Sequence, residues 1–99
     1  MFDKGTARRV WKYTVAHPDT NGRSWVEIPV GGRVISAGLQ GDEMVVWASV
    51  PAQLESIDLH RHPLLIVNTD QPFYMPPNVN FLGTFTTSNG IVWHVWSKE

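Results

Sequence analysis

Asp58, His60 and His62 alternate along the chain. In an extended strand such residues share one side, so they would offer a carboxylate and two imidazoles to zinc or another transition metal. Arg61 interrupts them, Pro63 follows, and no further ligand is marked by spacing, so ordinary surface histidines are the expectation and no metal site is assigned. His94 stands between Trp93 and Trp96, where it would either hydrogen-bond a ligand or titrate as a switch. A bond to Thr84 across a strand pair is the favoured alternative. Nucleophilic chemistry has little to start from: there is no Gly-x-Ser-x-Gly elbow and no cysteine. Gly31-Gly32-Arg33 is too short for a phosphate loop, Asp42-Glu43 reads as turn, and Glu55 and Asp58 have no evident carboxylate partner. The expectation is a protein that is not an enzyme and uses no cofactor.

Binding by stacking is better supplied. A nucleotide-like ligand needs an aromatic plane for its base and cationic donors for its phosphates. Trp47, above the small Ser36 and Gly38, and Trp96 with His94 would provide planes. Arg33 and Arg61, with Arg8, Arg9 and Arg23, would provide charge. The candidate ligand-binding set is therefore Trp47, Trp96, His94, Arg33, Arg61 and Ser36. The competing reading is that Trp47 and Trp96 fill the far side of a barrel or a subunit interface.

These side chains must be held by strands. Residues 81–87 and 91–96 flank Ser88-Asn89-Gly90, and a three-residue loop with Gly90 left-handed sets Thr87 opposite Ile91, Phe85 opposite Trp93 and Gly83 opposite Val95. Phe81, Phe85, Ile91, Trp93 and Val95 then share an apolar face; Leu82, Thr84, Thr86, Val92, His94 and Trp96 take the other. Residues 33–50 form a second hairpin around Gly41-Asp42, Gly first in a type II′ turn. Ile35, Ala37, Leu39, Met44, Val46 and Ala48 make its apolar face, and Val34, Ser36, Gly38, Val45, Trp47 and Ser49 its opposite face. Residues 9–15 alternate, with Trp11, Tyr13 and Val15 on one side. Trp25, Val26 and Ile28 make a short strand stopped by Pro29, and residues 64–68 read as a strand buried on both faces. Residues 51–58 fit either a helical turn or an irregular strand. Pro72, Pro76 and Pro77 exclude a central strand over residues 69–80, leaving an ordered loop whose Phe73, Tyr74 and Met75 need a surface to lie against.

The chain has 99 residues, five tryptophans and a formal net charge of −1. That length supports one core, so residues 1–99 are read as a single all-β domain: a compact antiparallel sandwich or small barrel of about six or seven strands, with residues 1–8 as a frayed lead-in. Near neutrality weakens the attraction that drives binding of polymeric nucleic acid. No apolar run approaches the roughly twenty residues of a membrane span. Absence of cysteine fits a reducing cytoplasm.

Trp11-Lys12-Tyr13, Ile28-Pro29 with Gly31-Gly32, residues 34–41, Val46-Trp47-Ala48, Leu82-Gly83-Thr84 and Val92-Trp93-His94-Val95 occur in an order that resembles a family of small uncharacterised proteins of tailed phages and prophages. The resemblance covers roughly residues 10–97. Asn68-Thr69-Asp70 stands where that family often has a Gly-Thr-Gly-like turn. The resemblance implies a phage accessory protein in a bacterial cytoplasm with a compact β fold and no established activity. Together with the Trp and Arg supply it leads to an expectation of a homo-oligomeric sponge that sequesters a nucleotide-type signal of anti-phage defence. The alternative is a structural or protein-interaction module acting through self-assembly or capture of a host or virion protein.

Overall fold

The computed structural model describes residues 5–53 and 58–99. Residues 1–4 of the expected lead-in and residues 54–57 of the 51–58 segment, Glu55 included, lie outside the described residues, and Arg8, expected to fray, begins the first strand. Seven strands form two antiparallel sheets, as an all-β sandwich requires. The first sheet has the order β1 (Arg8–Thr14), β4 (Glu43–Pro51), β3 (Arg33–Gln40). The second has the order β2 (Arg23–Pro29), β5 (Leu59–Asn68), β7 (Val92–Lys98), β6 (Val79–Thr86). Among the described residues no helix is long and apolar enough to cross a membrane.

Alternation in the strands builds the core between the sheets. Val26 and Ile28 of β2, Val46, Ala48 and Val50 of β4, Leu64 and Ile66 of β5, and Val95 of β7 are buried together with Val34. Each side chain so enclosed contributes roughly 1.5–3 kcal/mol relative to exposure. Residues 64–67 of β5 are all buried, the continuous apolar run having both faces covered. The second face is covered in part by Gly22, where an added Cβ would meet Val67 Cγ1 at 2.7 Å and the Ile66 carbonyl at 2.9 Å, and which sits at φ +81°. Glycine is required there by space and by backbone conformation.

Both hairpins have the expected turns. Gly41 sits at φ +61° while Asp42 keeps a negative φ, as a type II′ turn demands, and Leu39 faces Met44 and Ala37 faces Val46. In the last hairpin Gly90 is at φ +86°, the Thr87 N–H bonds the Ile91 carbonyl at 3.0 Å, and Phe85 faces Trp93.

Each hairpin departs from the expected facing at one bulge. Between Val34 and Ser36 the β3–β4 register shifts, so Val34, not Ile35, opposes Ala48; Val34 enters the core and Ile35 is exposed. Between Phe81 and Gly83 the β6–β7 register shifts likewise, so Phe81 opposes Trp96 and Leu82 packs on the core. An extra residue on one strand reverses the sides of everything beyond it. Both bulges lie where β3 and β6 pack edge to edge, and Gly83 permits that approach: a Cβ there would stand 3.2 Å from the Ala37 carbonyl.

Candidate functional site

The two bulges open a cleft along the β3–β6 seam, about 700 Å³ in volume, to which Arg8, Arg33, Ile35, Ser49, Asn80 and Phe81 contribute. Arg8, at the start of β1, donates from Nε to Ser49 Oγ at 2.6 Å and from Nη2 to the Gly31 and Ser49 carbonyls at 2.8 Å each. Those bonds engage three of the five guanidinium donors and leave the two on Nη1. Arg33 is the first residue of β3 and borders both this cleft and an adjoining one with His62, Ser97, Lys98 and Glu99. Among the described residues no carboxylate pairs with Arg8 or Arg33; the ion pair present joins Arg61 to Glu27 at 3.7 Å. Among the described residues the cleft therefore presents two guanidinium groups, that of Arg8 held in place by its hydrogen bonds, with no carboxylate paired to either.

Its apolar wall is Phe81, 57% exposed, with its ring edge-on to Trp96 at a centroid distance of 5.4 Å. Trp96 is covered from the other side by Phe73 of the proline-rich loop at 5.5 Å and stands 6.3 Å from the His94 ring. Aromatic pairs of this kind add about 0.5–1.5 kcal/mol beyond burial, so Phe81 is braced rather than loose. The loop aromatic that needed a surface has found Trp96. Asp70, in the place of the final glycine of the Gly-Thr-Gly-like turn, adopts φ +74°, a left-handed conformation that Asp tolerates better than most residues.

His94 takes the favoured alternative: Thr84 Oγ1 lies 2.9 Å from Nδ1, and Thr69 Oγ1 lies 2.8 Å from Nε2. With both nitrogens engaged by hydroxyls, the imidazole clips the loop to β6. The remaining sequence candidates are dispersed. Trp47 lies on the outer face of the first sheet, opposite Ser36 and across Gly38, whose built Cβ would be 3.1 Å from Trp47 Cζ3. Trp96 lies on the outer face of the second sheet, so a single chain does not bring the two rings together. Arg61 lies over the Trp25 ring at 4.6 Å, away from both. Of the six candidates, Arg33 alone lines the cleft, and Trp96 stands behind its Phe81 wall. The sequence reading missed Phe81 as a wall because it assumed an unbroken register, and it named Arg8 as a source of charge without a reason to prefer it over Arg9 or Arg23.

His60 and His62 share a side as the alternation required, with ring centroids 6.3 Å apart. The His62 Nε2–H donates to the Lys98 carbonyl at 2.9 Å. Burial nevertheless lowers the His62 pKa from 6.5, opposed by that bond and reinforced by the charges of His60 and Lys98. Among the described residues no three His, Asp or Glu side chains gather in a way that would hold a metal.

The opposite end of the sandwich has a second cleft, about 460 Å³, with His17, Asp42, Glu43, Ser88 and Asn89 on its rim and no Lys or Arg. Asp42 accepts from the Ser88 N–H at 2.9 Å and from the Ser88 hydroxyl, which holds its carboxyl below the ordinary 3.8. These bonds tie the two hairpin turns together.

A family model described as "Domain of unknown function (DUF7352)" matches residues 6–99, nearly the whole chain. No curated protein and no solved structure matches it.

Proposed function

The chain belongs to the DUF7352 family, and on that premise we propose that it is a non-catalytic phage accessory protein, homo-oligomeric in the host cytoplasm, that sequesters a small nucleotide-type signal of bacterial anti-phage defence. The observation that carries the reading is the seam cleft, where two guanidinium groups, without a carboxylate partner among the described residues, stand beside a braced, exposed Phe81 ring. Phosphate oxygens are matched by the two remaining Nη1 donors of Arg8 and by the Arg33 guanidinium, and a base by the Phe81 face. Among the described residues that line the cleft no nucleophile is paired with a base, which favours capture over turnover. The phage setting rests on the sequence resemblance.

Native mass spectrometry of the protein mixed with cyclic nucleotides and ADP-ribose derivatives tests the reading. Retention of one of these, chemically unchanged and lost in Arg33→Ala and Phe81→Ala, is the expected result. Failure of the whole panel to bind, or binding insensitive to both substitutions, counts against it.

A second reading has its own observation. Tyr74 is 95% exposed and precedes the exposed Met75, on a loop held down by Phe73 on Trp96. A fixed, uncovered Tyr-Met pair suits capture of a host or virion protein. Loss of partner capture in Tyr74→Ala, with nucleotide binding absent throughout, would favour this alternative.

A further inference from the structure

Four strand edges bound the two sheets, and three of them are closed. On β2 the Trp25 carbonyl accepts from the Ala16 N–H at 3.0 Å and the Arg23 carbonyl from the Asp19 N–H at 2.9 Å, and the strand ends at Pro29, which has no donor. The edges of β3 and β6 face each other across the seam, each with a bulge. Only β1 presents a regular, unbulged and proline-free edge among the described residues. Two of its apolar side chains are bare, one on each face, Trp11 at 60% and Val10 at 55% exposed, while Tyr13 is half-buried against the core.

The usual guards of such an edge are lysines and other charges that project past it. Here two of them point the other way. Lys12 Nζ donates to Gln40 Oε1 on β3, across the whole sheet, and the Arg8 guanidinium is bound to Ser49 and Gly31. We propose that β1 pairs antiparallel with β1 of a second copy about a two-fold axis at Trp11, joining the two three-stranded sheets into one of six strands.

The register follows from the backbone and the charges. The Ala7 carbonyl and the Val15 N–H bond β4, so odd residues of β1 direct their backbone groups inward and Arg8, Val10, Lys12 and Thr14 direct theirs outward. An antiparallel pair must set outward-bonding residues opposite one another, which restricts a two-fold axis to pass through a residue position. Centred on Val10, Arg8 would oppose the second copy's Lys12. Centred on Arg8, Arg9 or Lys12, that residue would oppose itself, and centred on Tyr13 or Thr14 the paired length within β1 shrinks to three residues or fewer. Like charges directly opposite are destabilising. Centred on Trp11, Val10 opposes Lys12, Arg8 opposes Thr14, Arg9 opposes Tyr13 with a cation over an aromatic ring, and the two tryptophans meet. This surface shares Arg8 with the seam cleft but not Phe81 or Arg33, and the pairing itself needs no ligand.

Sedimentation velocity of the full-length protein over a concentration series reads the association. A dimer is expected, converted to monomer by Trp11→Lys with the far-UV circular dichroism unchanged, since Trp11 is largely exposed. The chain has no cysteine, so Trp11→Cys and Val10→Cys each introduce a single thiol per protomer. At a non-hydrogen-bonded pair the Cα atoms lie about 4.5 Å apart, within disulfide reach, whereas diagonal neighbours lie about 7–8 Å apart, beyond it. Mild oxidation is thus expected to cross-link Trp11→Cys and not Val10→Cys. A monomeric wild type, a dimer that survives Trp11→Lys, or preferential cross-linking of Val10→Cys overturns the proposal.

Discussion

The two ends of the sandwich carry opposite chemistry. At the turn end the polar groups satisfy one another: Asp42 receives the Ser88 amide and hydroxyl, and the Asn89 side chain receives the Thr87 hydroxyl. In the nearby bend Asp19 Oδ1 accepts from the Asn21 and Arg23 amides at 2.9 Å each. At the seam end, Arg8 is fixed by neutral acceptors and Arg33 borders two clefts, with no described carboxylate paired to either. Side chains that complete each other's hydrogen bonds specify turns, whereas charges fixed in place without a counter-charge keep their capacity for a ligand. The difference identifies the seam end as the place to seek binding and the turn end as a part of the folding code.

Charge reversal breaks that contrast most strongly. Arg8→Glu with Arg33→Glu should weaken any anionic nucleotide by at least about 10- to 100-fold, since a hydrogen bond to a charged group contributes roughly 1.5–3 kcal/mol. Isothermal titration should find Glu43→Gln, at the other end, without effect. Equal losses from both would erase the distinction between the ends.

Acidification separates the ends by a smaller effect. The His62 pKa is lowered by folding, so as pH falls through 6.5 the unfolded chain takes up a proton that the folded chain resists, and the stability linked to His62 declines from there downward. Melting temperature should therefore fall below pH 6.5 in the wild type and fall less in His62→Gln. Parallel curves for the two proteins would remove His62 as the cause.

The smallest change belongs to Asp42. Its carboxyl is lowered from 3.8 by Ser88, so its contribution is present above the ordinary carboxylate pKa and is lost as pH falls through the lowered folded value. Asp42→Asn should reduce the melting temperature slightly at neutral pH, with the gap closing in strong acid. A gap that persists unchanged in acid would mean that the side chain acts through shape rather than charge.

Much of the architecture is legible in the sequence. Gly41 and Gly90 mark turns because few other residues take left-handed backbone without strain, and the apolar pattern then selects the loop length that keeps each face consistent. Trp47 over Gly38 and His94 beside Thr84 follow from the same registers. The pairing fails at Ile35 and Phe81, where both registers slip by a residue. Nothing in Val34-Ile35 or Phe81-Leu82 signals a bulge, because in each case two adjacent apolar residues compete for one core position. The candidate site suffered accordingly, since its wall and its opening are both products of the bulges.

Alternation, turn residues and the prolines of residues 69–80 by themselves determine an all-β chain, its hairpins and its loop, because these preferences act between neighbours in sequence. Which residues face a common cleft depends on contacts between β3 and β6, more than forty positions apart. Only the tertiary structure decides that Ile35 and Phe81 leave the core, that Arg8 joins Arg33, and that β1 keeps one regular edge open among the described residues, because packing two twisted sheets settles which of two equally apolar side chains is enclosed.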